Sequence, residues 1–224
     1  KMAAGGLYDH VGGGFHRYAT DDKWLVPHFE KMLYDNALLV MDYLEGYQIT
    51  GNPEYKRIAE DILHYVQRDM TSSGGAFFSG TDADSLTPQG HREEGYFFTW
   101  TPEELDLLLD PNLAALIRET HAVGSSPNFE GRHILNTPES MPDLAKRLQL
   151  EETHLRSQVK KALKKLRDGR EHRPPPLRDE KILTAWNGLM ISAFARAGFV
   201  LDDPGYVAGA VRAAKFVLEH LFLQ

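Results

Sequence analysis

Two long apolar segments, each followed by a proline-led amphipathic segment, recur along the chain and constrain its fold more than any other feature. At a constant offset of 151 positions, Asn36 matches Asn187 and Pro53 matches Pro204. A segment that is apolar on nearly every side predicts a helix buried among neighbours, whereas an amphipathic segment predicts a helix packed on one face. The repeat therefore indicates two hairpins of the same kind, each with an inner helix and an outer helix.

The helix boundaries follow from prolines and from the apolar periodicity. Pro27 suits the first position of a helix, and Gly51 with Asn52 marks the end of that helix and the start of the next. A less regular hairpin lies between the two repeats, where Pro111 divides its first half. The predicted helices are Pro27–Ile49, Pro53–Met70, Glu103–Leu109, Asn112–Ala122, Glu151–Arg167 and Ile182–Leu201.

Glycine followed by aromatic residues precedes the helices and predicts short β-ribbons. The segment Gly5–Tyr8 resembles Gly74–Phe77, and Gly14–Tyr18 resembles Gly95–Trp100. One repeating unit is then a ribbon, an inner helix and an outer helix. Because three such hairpins do not close a ring, the predicted fold class is all-α: an (α/α) toroid fragment of about three helical hairpins with short β-ribbons, in which residues 1–224 form a partial toroid domain.

Composition excludes several classes of function. The formal net charge is −7 and no basic stripe with interleaved aromatic residues is present, which disfavours nucleic acid as a partner. The basic stretch Lys160–Arg173 is interpreted as the solvated face of a helix and its tail. The absence of cysteine excludes disulfides, cysteine-bound zinc and a thiol nucleophile within the chain, and it fits a cytoplasmic location.

One segment, Ile182–Leu201, is long enough to cross a bilayer. It contains Asn187 and Arg196, which are costly in a hydrocarbon environment. We therefore interpret it as a buried helix of a soluble protein and predict no membrane partner.

Several longer motifs resemble the signature of the YyaL-like, spermatogenesis-associated thioredoxin-domain proteins. The resemblance runs from Gly5 to about Gly198, and motifs of this length are specific. The motifs that carry it are Gly12–Tyr18, Trp24–Asn36, Asp82–Ser85, Glu94–Phe97, Asn128–Gly131 and Asp179–Leu189.

The resemblance implies an architecture more than an activity. Members of this family carry an N-terminal thioredoxin-like domain followed by a six-hairpin toroid, similar to N-acylglucosamine 2-epimerases and related glycosidases. The thioredoxin-like domain and the remaining hairpins of the parent would then lie outside this chain, and that domain is an expected partner. The exposed inner face of a partial toroid also predicts self-association through apolar surface. The resemblance carries over no catalytic residues.

The predicted first inner helix carries the most suggestive polar cluster. At 100° per residue, His28, Lys31, Asp35 and Asp42 fall within about 60° of one another. Polar groups on an otherwise apolar helix face either partners or a water-filled cavity, because unpaired buried charge is costly. In the functional interpretation His28 is an acid–base and Asp35 orients it or binds a hydroxyl group. In the alternative, both are satisfied polar groups of the core.

A second cluster of carboxylates lies in the segment Asp82–Glu94, which is predicted to connect two ribbon strands. Paired carboxylates flanking a sugar bond are the recurring device of glycoside hydrolysis, so Asp84 and Glu94 are candidate catalytic groups. A calcium site is disfavoured because Leu86 occupies the next ligand position of the EF-hand pattern. The alternative is turn capping by aspartate within a solvated run of charge.

The remaining candidates would bind a substrate. Arg17 or Lys31 would hold an anionic or hydroxyl group, and His16 lies in the same glycine-rich motif. Aromatic side chains would stack on a sugar ring, although core packing explains their presence equally well. They are Trp24, Trp100, Phe15, Tyr18 and Trp186, of which Trp24 and Trp100 are the preferred candidates. The histidine spacing matches no standard metal site, so neither a metal nor a cofactor is predicted.

Two functions of different class follow from these residues. The first is a carbohydrate-active enzyme, a sugar epimerase or isomerase or else a glycosidase, that uses acid–base chemistry on a small-molecule ligand. The second is a non-catalytic binding or scaffold domain that serves a thioredoxin-like domain. The two differ in whether the polar groups converge in an accessible site or are paired internally.

Overall fold

The computed structural model describes residues 1–221 and divides the chain into two compact units. The first unit contains Lys1–Gly12, Tyr18–Phe29 and Ala83–Pro176. The second contains Gly13–Arg17, Glu30–Asp82 and Leu177–Gln224, of which the last three residues lie outside the described part. Each unit is described separately below.

Helices dominate the described residues. The eight α-helices in residues 1–221 are α1 (Leu33–Thr50), α2 (Pro53–Asp69), α3 (Pro102–Leu108), α4 (Pro111–Thr120), α5 (Met141–Leu148), α6 (Glu152–Arg170), α7 (Thr184–Leu201) and α8 (Pro204–His220), with a 3-10 turn at Met2–Ala4. The strands are β1 (Tyr18–Ala19), β2 (Pro27–His28), β3 (Lys31–Met32), β4 (Gly80–Thr81), β5 (Asp84–Leu86), β6 (Arg92–Glu94) and β7 (Arg178–Asp179). They form the antiparallel sheets β1–β2, β3–β4–β7 and β5–β6.

The prediction that a helix spans Pro27–Ile49 is wrong at its start. The helix begins at Leu33, and the preceding residues belong to the short strands β2 and β3. The backbone of this segment is satisfied by strand partners instead of by helical ones: the N–H group of Leu33 donates to the carbonyl of Ser79 at 3.0 Å. His28 and Lys31 therefore do not share a helical face with Asp35, and only Asp35 and Asp42 of the predicted polar stripe lie on α1.

The other helices agree with the periodicity to within a few residues. Prolines at the first turn begin α2, α3, α4 and α8, and the side chain of Asn52 caps α2 by accepting from the N–H group of Glu54. Helix α5 was not predicted, although Ser140 caps it in the same way by accepting from the N–H group of Asp143. Across residues 1–221, no helix is long and apolar enough to cross a membrane, and this includes α7.

The predicted ribbons agree with the structure only in part: Tyr18 begins β1 and Phe77 forms an isolated bridge with Thr71, but no strand covers Gly5–Tyr8, Gly74–Phe77 or Gly95–Trp100. Gly95 has a φ of +73° and begins a turn that ends before Trp100. The segment Gly95–Trp100 is therefore not a strand. The segment Asp82–Glu94 is not a connection between strands, because it contains the hairpin β5–β6 itself. Strands of two or three residues have almost no sequence signal of their own, since they exist only through their pairing partners.

The second unit contains the predicted repeat of two helical hairpins. Helices α1 and α2 pack together, as do α7 and α8, and α1 packs against α7. The two matched asparagines make the same hydrogen bond in each hairpin. Asn36 accepts from the N–H group of Phe15 at 2.8 Å, and Asn187 accepts from the N–H group of Phe77 at 2.8 Å. Each side-chain amide also donates back to the carbonyl of the same phenylalanine. The prediction of a repeated structural hydrogen bond is confirmed.

Replacing Asn36 or Asn187 by leucine is expected to lower the free energy of unfolding by about 2 to 4 kcal/mol, because each change leaves a buried backbone N–H and a carbonyl without partners. Urea unfolding followed by circular dichroism measures the change. Ser192→Ala on the exposed face of α7 is the control and should stay within about 0.5 kcal/mol. An asparagine variant as stable as this control would contradict the assigned role.

The first unit buries its apolar residues between α3, α4, α5 and α6. It also buries an ion pair: Arg170 donates from Nη1 to Oδ1 of Asp9 at 2.9 Å, and the two side chains are only 5% and 3% exposed. Asp9 accepts in addition from the N–H groups of Val11 and Gly12. A Cβ atom on Gly12 would lie 1.9 Å from Nη2 of Arg170, so only glycine leaves room for the guanidinium.

Candidate functional site

A histidine and a glutamate form a hydrogen-bonded pair at the surface of the first unit. Nδ1 of His28 lies 2.7 Å from Oε1 of Glu94, and the two side chains are 27% and 42% exposed. Because a carboxylate only accepts hydrogen bonds, Nδ1 carries the proton and the basic lone pair of the neutral ring lies on Nε2. The same carboxylate oxygen accepts from the N–H group of Phe29 at 3.3 Å, which fixes its position.

The ribbon β1–β2 presents His28 to this carboxylate. Tyr18 pairs with His28 and Ala19 pairs with Pro27, so the loop that joins the two strands consists of residues 20–26. Asp21 organises that loop by accepting from the N–H groups of Lys23, Leu25 and Val26. Burial of the carboxyl group opposes ionisation, but these backbone hydrogen bonds outweigh it and lower the pKa of Asp21.

The hairpin β5–β6 supplies the acidic partner. Asp84 lies directly opposite Glu94 in the antiparallel register, so both side chains leave the same face of the hairpin, with Cβ atoms about 4.5 to 5.5 Å apart. Gly95 follows at positive φ, and a Cβ atom there would lie 2.5 Å from the ring of Phe29. The glycine therefore lets the chain turn against Phe29 and brings Glu94 to the end of β2.

One aromatic side chain contacts the pair, and a second lies in the loop of the same ribbon. The ring of Tyr18 stacks on that of His28, with centroids 5.0 Å apart, and remains 50% exposed. Trp24 lies in the loop of the same ribbon and is 36% exposed. The sequence offers both Trp24 and Tyr18 as stacking candidates, but the contact of Tyr18 with His28 depends on a strand register that no sequence pattern reveals.

Trp100 is a core residue, which corrects the prediction that its ring stacks on a sugar. Its side chain is fully buried, and the guanidinium of Arg173 lies 4.1 Å from its ring. Arg173 donates to the carbonyls of Tyr96, Phe97 and Thr99, and burial lowers its pKa to about 10. The segment Lys160–Arg173 is therefore only partly the solvated face that its composition indicated.

The remaining predicted substrate-binding residues lie in the second unit. Lys31 is buried, donates from Nζ to the carbonyl of Gly13 at 2.7 Å and lies 4.4 Å from the ring centre of Tyr65. His16 is buried as well. Arg17 remains partly exposed but donates to Glu30 at 2.9 Å. The position of Lys31 does not fit the prediction that it holds an anionic ligand.

Asp35 lies in the first turn of α1 in the second unit, whereas Nδ1 of His28, in the first unit, is bonded to Glu94. Its Oδ2 atom is buried and has no hydrogen-bond partner among the described residues. Burial raises the pKa of Asp35 to about 6, although the positive charge of Arg17 acts in the opposite direction. The helical spacing from which Asp35 was predicted to orient His28 or bind a hydroxyl group does not exist, because His28 lies in β2 and Asp35 in α1; the role of Asp35 itself stays a prediction.

Replacing Asp35 by asparagine is expected to raise the free energy of unfolding at neutral pH by about 1 kcal/mol, after allowance for solvent screening of a partly exposed group. Between the unfolded pKa of 3.8 and the folded pKa of about 6, the folded chain holds a proton that the unfolded chain has released. Stability therefore falls as the pH rises through this window. Urea unfolding at acidic and neutral pH measures the fall, which should be absent in the variant. An unchanged pH dependence would contradict this account.

A cleft of about 250 Å³ lies in the second unit on the sheet β3–β4–β7. Gly80 on the central strand forms part of its lining, and the carboxylates of Glu30, Asp82 and Asp179 surround it. Within residues 1–221, no group of three or more histidine, aspartate or glutamate side chains is placed to hold a metal ion.

The described residues thus define a mostly helical protein with a surface histidine–glutamate pair. No protein-family model matches the chain. It is 40% identical to human spermatogenesis-associated protein 20 over 241 aligned positions, which cover 99% of the chain and 31% of the human protein. The mouse protein of the same name is 41% identical, with 99% and 30% coverage. The chain is therefore homologous to spermatogenesis-associated protein 20 along nearly its whole length, as its motifs indicated, and it spans about a third of these relatives.

Among solved structures, the chain is similar to a D-mannose isomerase with a TM-score of 0.32 and 15% sequence identity. The similarity covers 92% of this chain and 45% of the isomerase chain. A TM-score of this size does not establish a shared fold. The hairpins of the second unit are observed directly, and a closed toroid remains a prediction.

Proposed function

We propose that this chain carries the acid–base site of a carbohydrate-active enzyme that moves protons on a sugar, as sugar epimerases and isomerases do. The observation that carries the proposal is the 2.7 Å hydrogen bond between His28 and Glu94 at an accessible surface. A carboxylate bonded to one ring nitrogen of a histidine fixes its tautomer and holds its orientation, as in other general-base pairs. The exposed ring of Tyr18 beside the pair is the kind of surface that a sugar ring stacks on, and Trp24 lies in the loop of the same ribbon.

The proposed chemistry needs only proton transfers. His28 removes a proton from a carbon next to the sugar carbonyl at Nε2, and Glu94 stabilises the imidazolium that forms. A proton is then returned to the same carbon or to its neighbour, with a matching shift of a hydroxyl proton in an isomerisation. Asp84, on the same face as Glu94, is the second acid–base group. No oxidant or reductant enters the balance.

The geometry favours proton transfer over glycoside hydrolysis. Hydrolysis uses two carboxyl groups, one to protonate the leaving oxygen and one to attack the sugar or activate water. Glu94 already accepts from His28 and from the N–H group of Phe29 through one oxygen. A histidine held in this way has no part in the two-carboxylate mechanism, whereas it is the base that a proton transfer requires.

The test is proton exchange in the complete protein as its gene encodes it. Aldoses, ketoses and amino sugars are incubated with the protein in D₂O, and deuterium incorporation at carbon is followed by NMR. Exchange that is lost in His28→Gln and kept in Glu93→Gln supports the proposal, because Glu93 neighbours Glu94 but leaves the opposite face of β6. The absence of exchange with every sugar, in a folded protein, overturns it and favours a scaffold that serves a thioredoxin-like domain.

A further inference from the structure

We infer that Tyr18 and Trp24 form an aromatic ledge for a sugar ring, and that this site accepts uncharged or amino-bearing sugars and rejects sugar phosphates and uronates. The inference deepens the proposed function and rests on it, since it names the substrate class of the same site. It is carried by the backbone of Trp24, the contact of Tyr18 with His28 and the charge around the pair.

Trp24 is held at the surface by a strained backbone. Its φ is +63°, in the left-handed region that a bulky side chain rarely occupies. Gly5 packs against it so closely that a Cβ atom on the glycine would lie 2.0 Å from the carbonyl oxygen of Trp24. The hydrogen bonds of Asp21 fix the residues on both sides. Strain of this kind is kept where it positions a group for a ligand, and here it keeps an indole ring 36% exposed.

Tyr18 lies on the first strand of the same ribbon, next to the reacting group. Its ring covers one face of His28 at a centroid distance of 5.0 Å, with the planes inclined by 30°. Half of Tyr18 is nevertheless exposed, although an aromatic ring of this size is ordinarily buried further. A flat ring beside a base can contact the apolar C–H face of a sugar, so Tyr18 is a positioning residue and not a catalytic one.

The charges around the ledge select against anions. Apart from Glu93, which leaves the opposite face of β6, the ribbon with its loop and the hairpin β5–β6 carry four carboxylates against two cationic side chains. The carboxylates are Asp21, Asp22, Asp84 and Glu94, and the cations are Lys23 and Arg92. A surface potential of this sign lowers the local concentration of phosphate and carboxylate ligands and raises that of ammonium groups.

The two residues that the sequence offered as anion holders do not change this conclusion. Lys31 is buried with its Nζ bonded to the carbonyl of Gly13. Arg17 donates to the carboxylate of Glu30 and to the hydroxyl of Tyr34. Both cations are therefore engaged within the second unit.

Binding measurements on the complete protein test the inference without any need for turnover. Neutral hexoses, glucosamine-type amino sugars and the matching 6-phosphates are titrated by NMR or calorimetry at low and high salt. Neutral and amino sugars are expected to bind at least about tenfold more tightly than their phosphates at low salt. Added salt should reduce this difference in affinity, because it screens the surface charges. A phosphate that binds more tightly than its parent sugar overturns the inference.

Variants of Trp24 distinguish the contribution of its ring to sugar affinity from the effect of its backbone conformation. Trp24→Asn keeps a residue that tolerates positive φ and removes the ring, so sugar affinity should fall about tenfold while the melting temperature is kept. Trp24→Tyr restores a ring and should stay within about threefold. Phe199→Asn, which removes an exposed aromatic from α7 in the second unit, should leave affinity unchanged. Unchanged affinity in Trp24→Asn contradicts the ledge.

The two proposals fail in different ways. Binding of neutral sugars through Trp24 without deuterium exchange would remove the proposed chemistry and keep the ledge. Deuterium exchange that is faster with sugar phosphates would support the proposed proton transfer and contradict the proposed selection of uncharged and amino sugars by the ledge.

Discussion

Replacing Arg170 by methionine is expected to lower the free energy of unfolding by about 3 to 5 kcal/mol, because the change leaves the carboxylate of Asp9 buried without its counter-charge. The pair is 2.9 Å long and almost wholly buried, so the uncompensated charge has no access to solvent. Two backbone N–H groups still donate to Asp9, but they cannot replace a full positive charge. Urea unfolding of the chain at neutral pH measures the loss.

A matched ion pair on the same helix provides the control. Lys164 and Asp168 lie 2.7 Å apart on α6 with both side chains largely exposed, and Lys164→Met should cost no more than about 0.5 kcal/mol. The double variant Asp9→Asn with Arg170→Met should recover part of the stability, because it removes the buried charge itself. If Arg170→Met costs no more than Lys164→Met, the buried pair does not hold the first unit together.

The sequence could not reveal this pair. Asp9 and Arg170 are 161 positions apart, and a run of basic residues at the end of a helix is ordinarily solvated. What the pattern did contain was a glycine beside Asp9, whose missing side chain makes room for the guanidinium. A glycine identifies a close approach but not the residue that approaches.

The helices were predictable because their signals are local. Apolar periodicity, first-turn prolines and capping residues lie within the segment that they define, as at Asn52 before α2 and at Gly51, which ends α1 with a φ of +67°. The internal repeat was visible for the same reason, since Asn36 and Asn187 occupy equivalent positions in two similar segments. The error at Pro27 arose because an apolar segment with a leading proline also suits a short strand.

The candidate site was predictable only in its residue types. The sequence points to His28, Asp84 and Glu94, but its patterns predict them in a helix and a loop, where they would have different neighbours. Two short hairpins bring His28 to Glu94 across 66 positions, and their pairing is a tertiary event without a local signal. Asp35 was identified by a helical spacing from His28 that the structure does not contain.

His28→Gln and Glu94→Gln are each expected to lower the rate of proton exchange on a sugar by about 10²- to 10⁴-fold, the usual contribution of a positioned acid–base group. Glu94→Gln keeps the shape of the side chain and can still accept from Nδ1, so its effect reports the loss of negative charge behind the imidazole. Glu93→Gln removes one charge from the same strand and should leave the rate within about twofold.

The double variant decides whether the two residues act as one group. Because Glu94 is proposed to act through His28, its substitution has no further effect once the imidazole is gone, and the double variant should be about as slow as His28→Gln alone. Independent surface residues would instead give effects that multiply. A multiplicative result, with both single variants folded, would mean that the 2.7 Å contact is an ordinary surface ion pair and that the two residues contribute to the reaction separately.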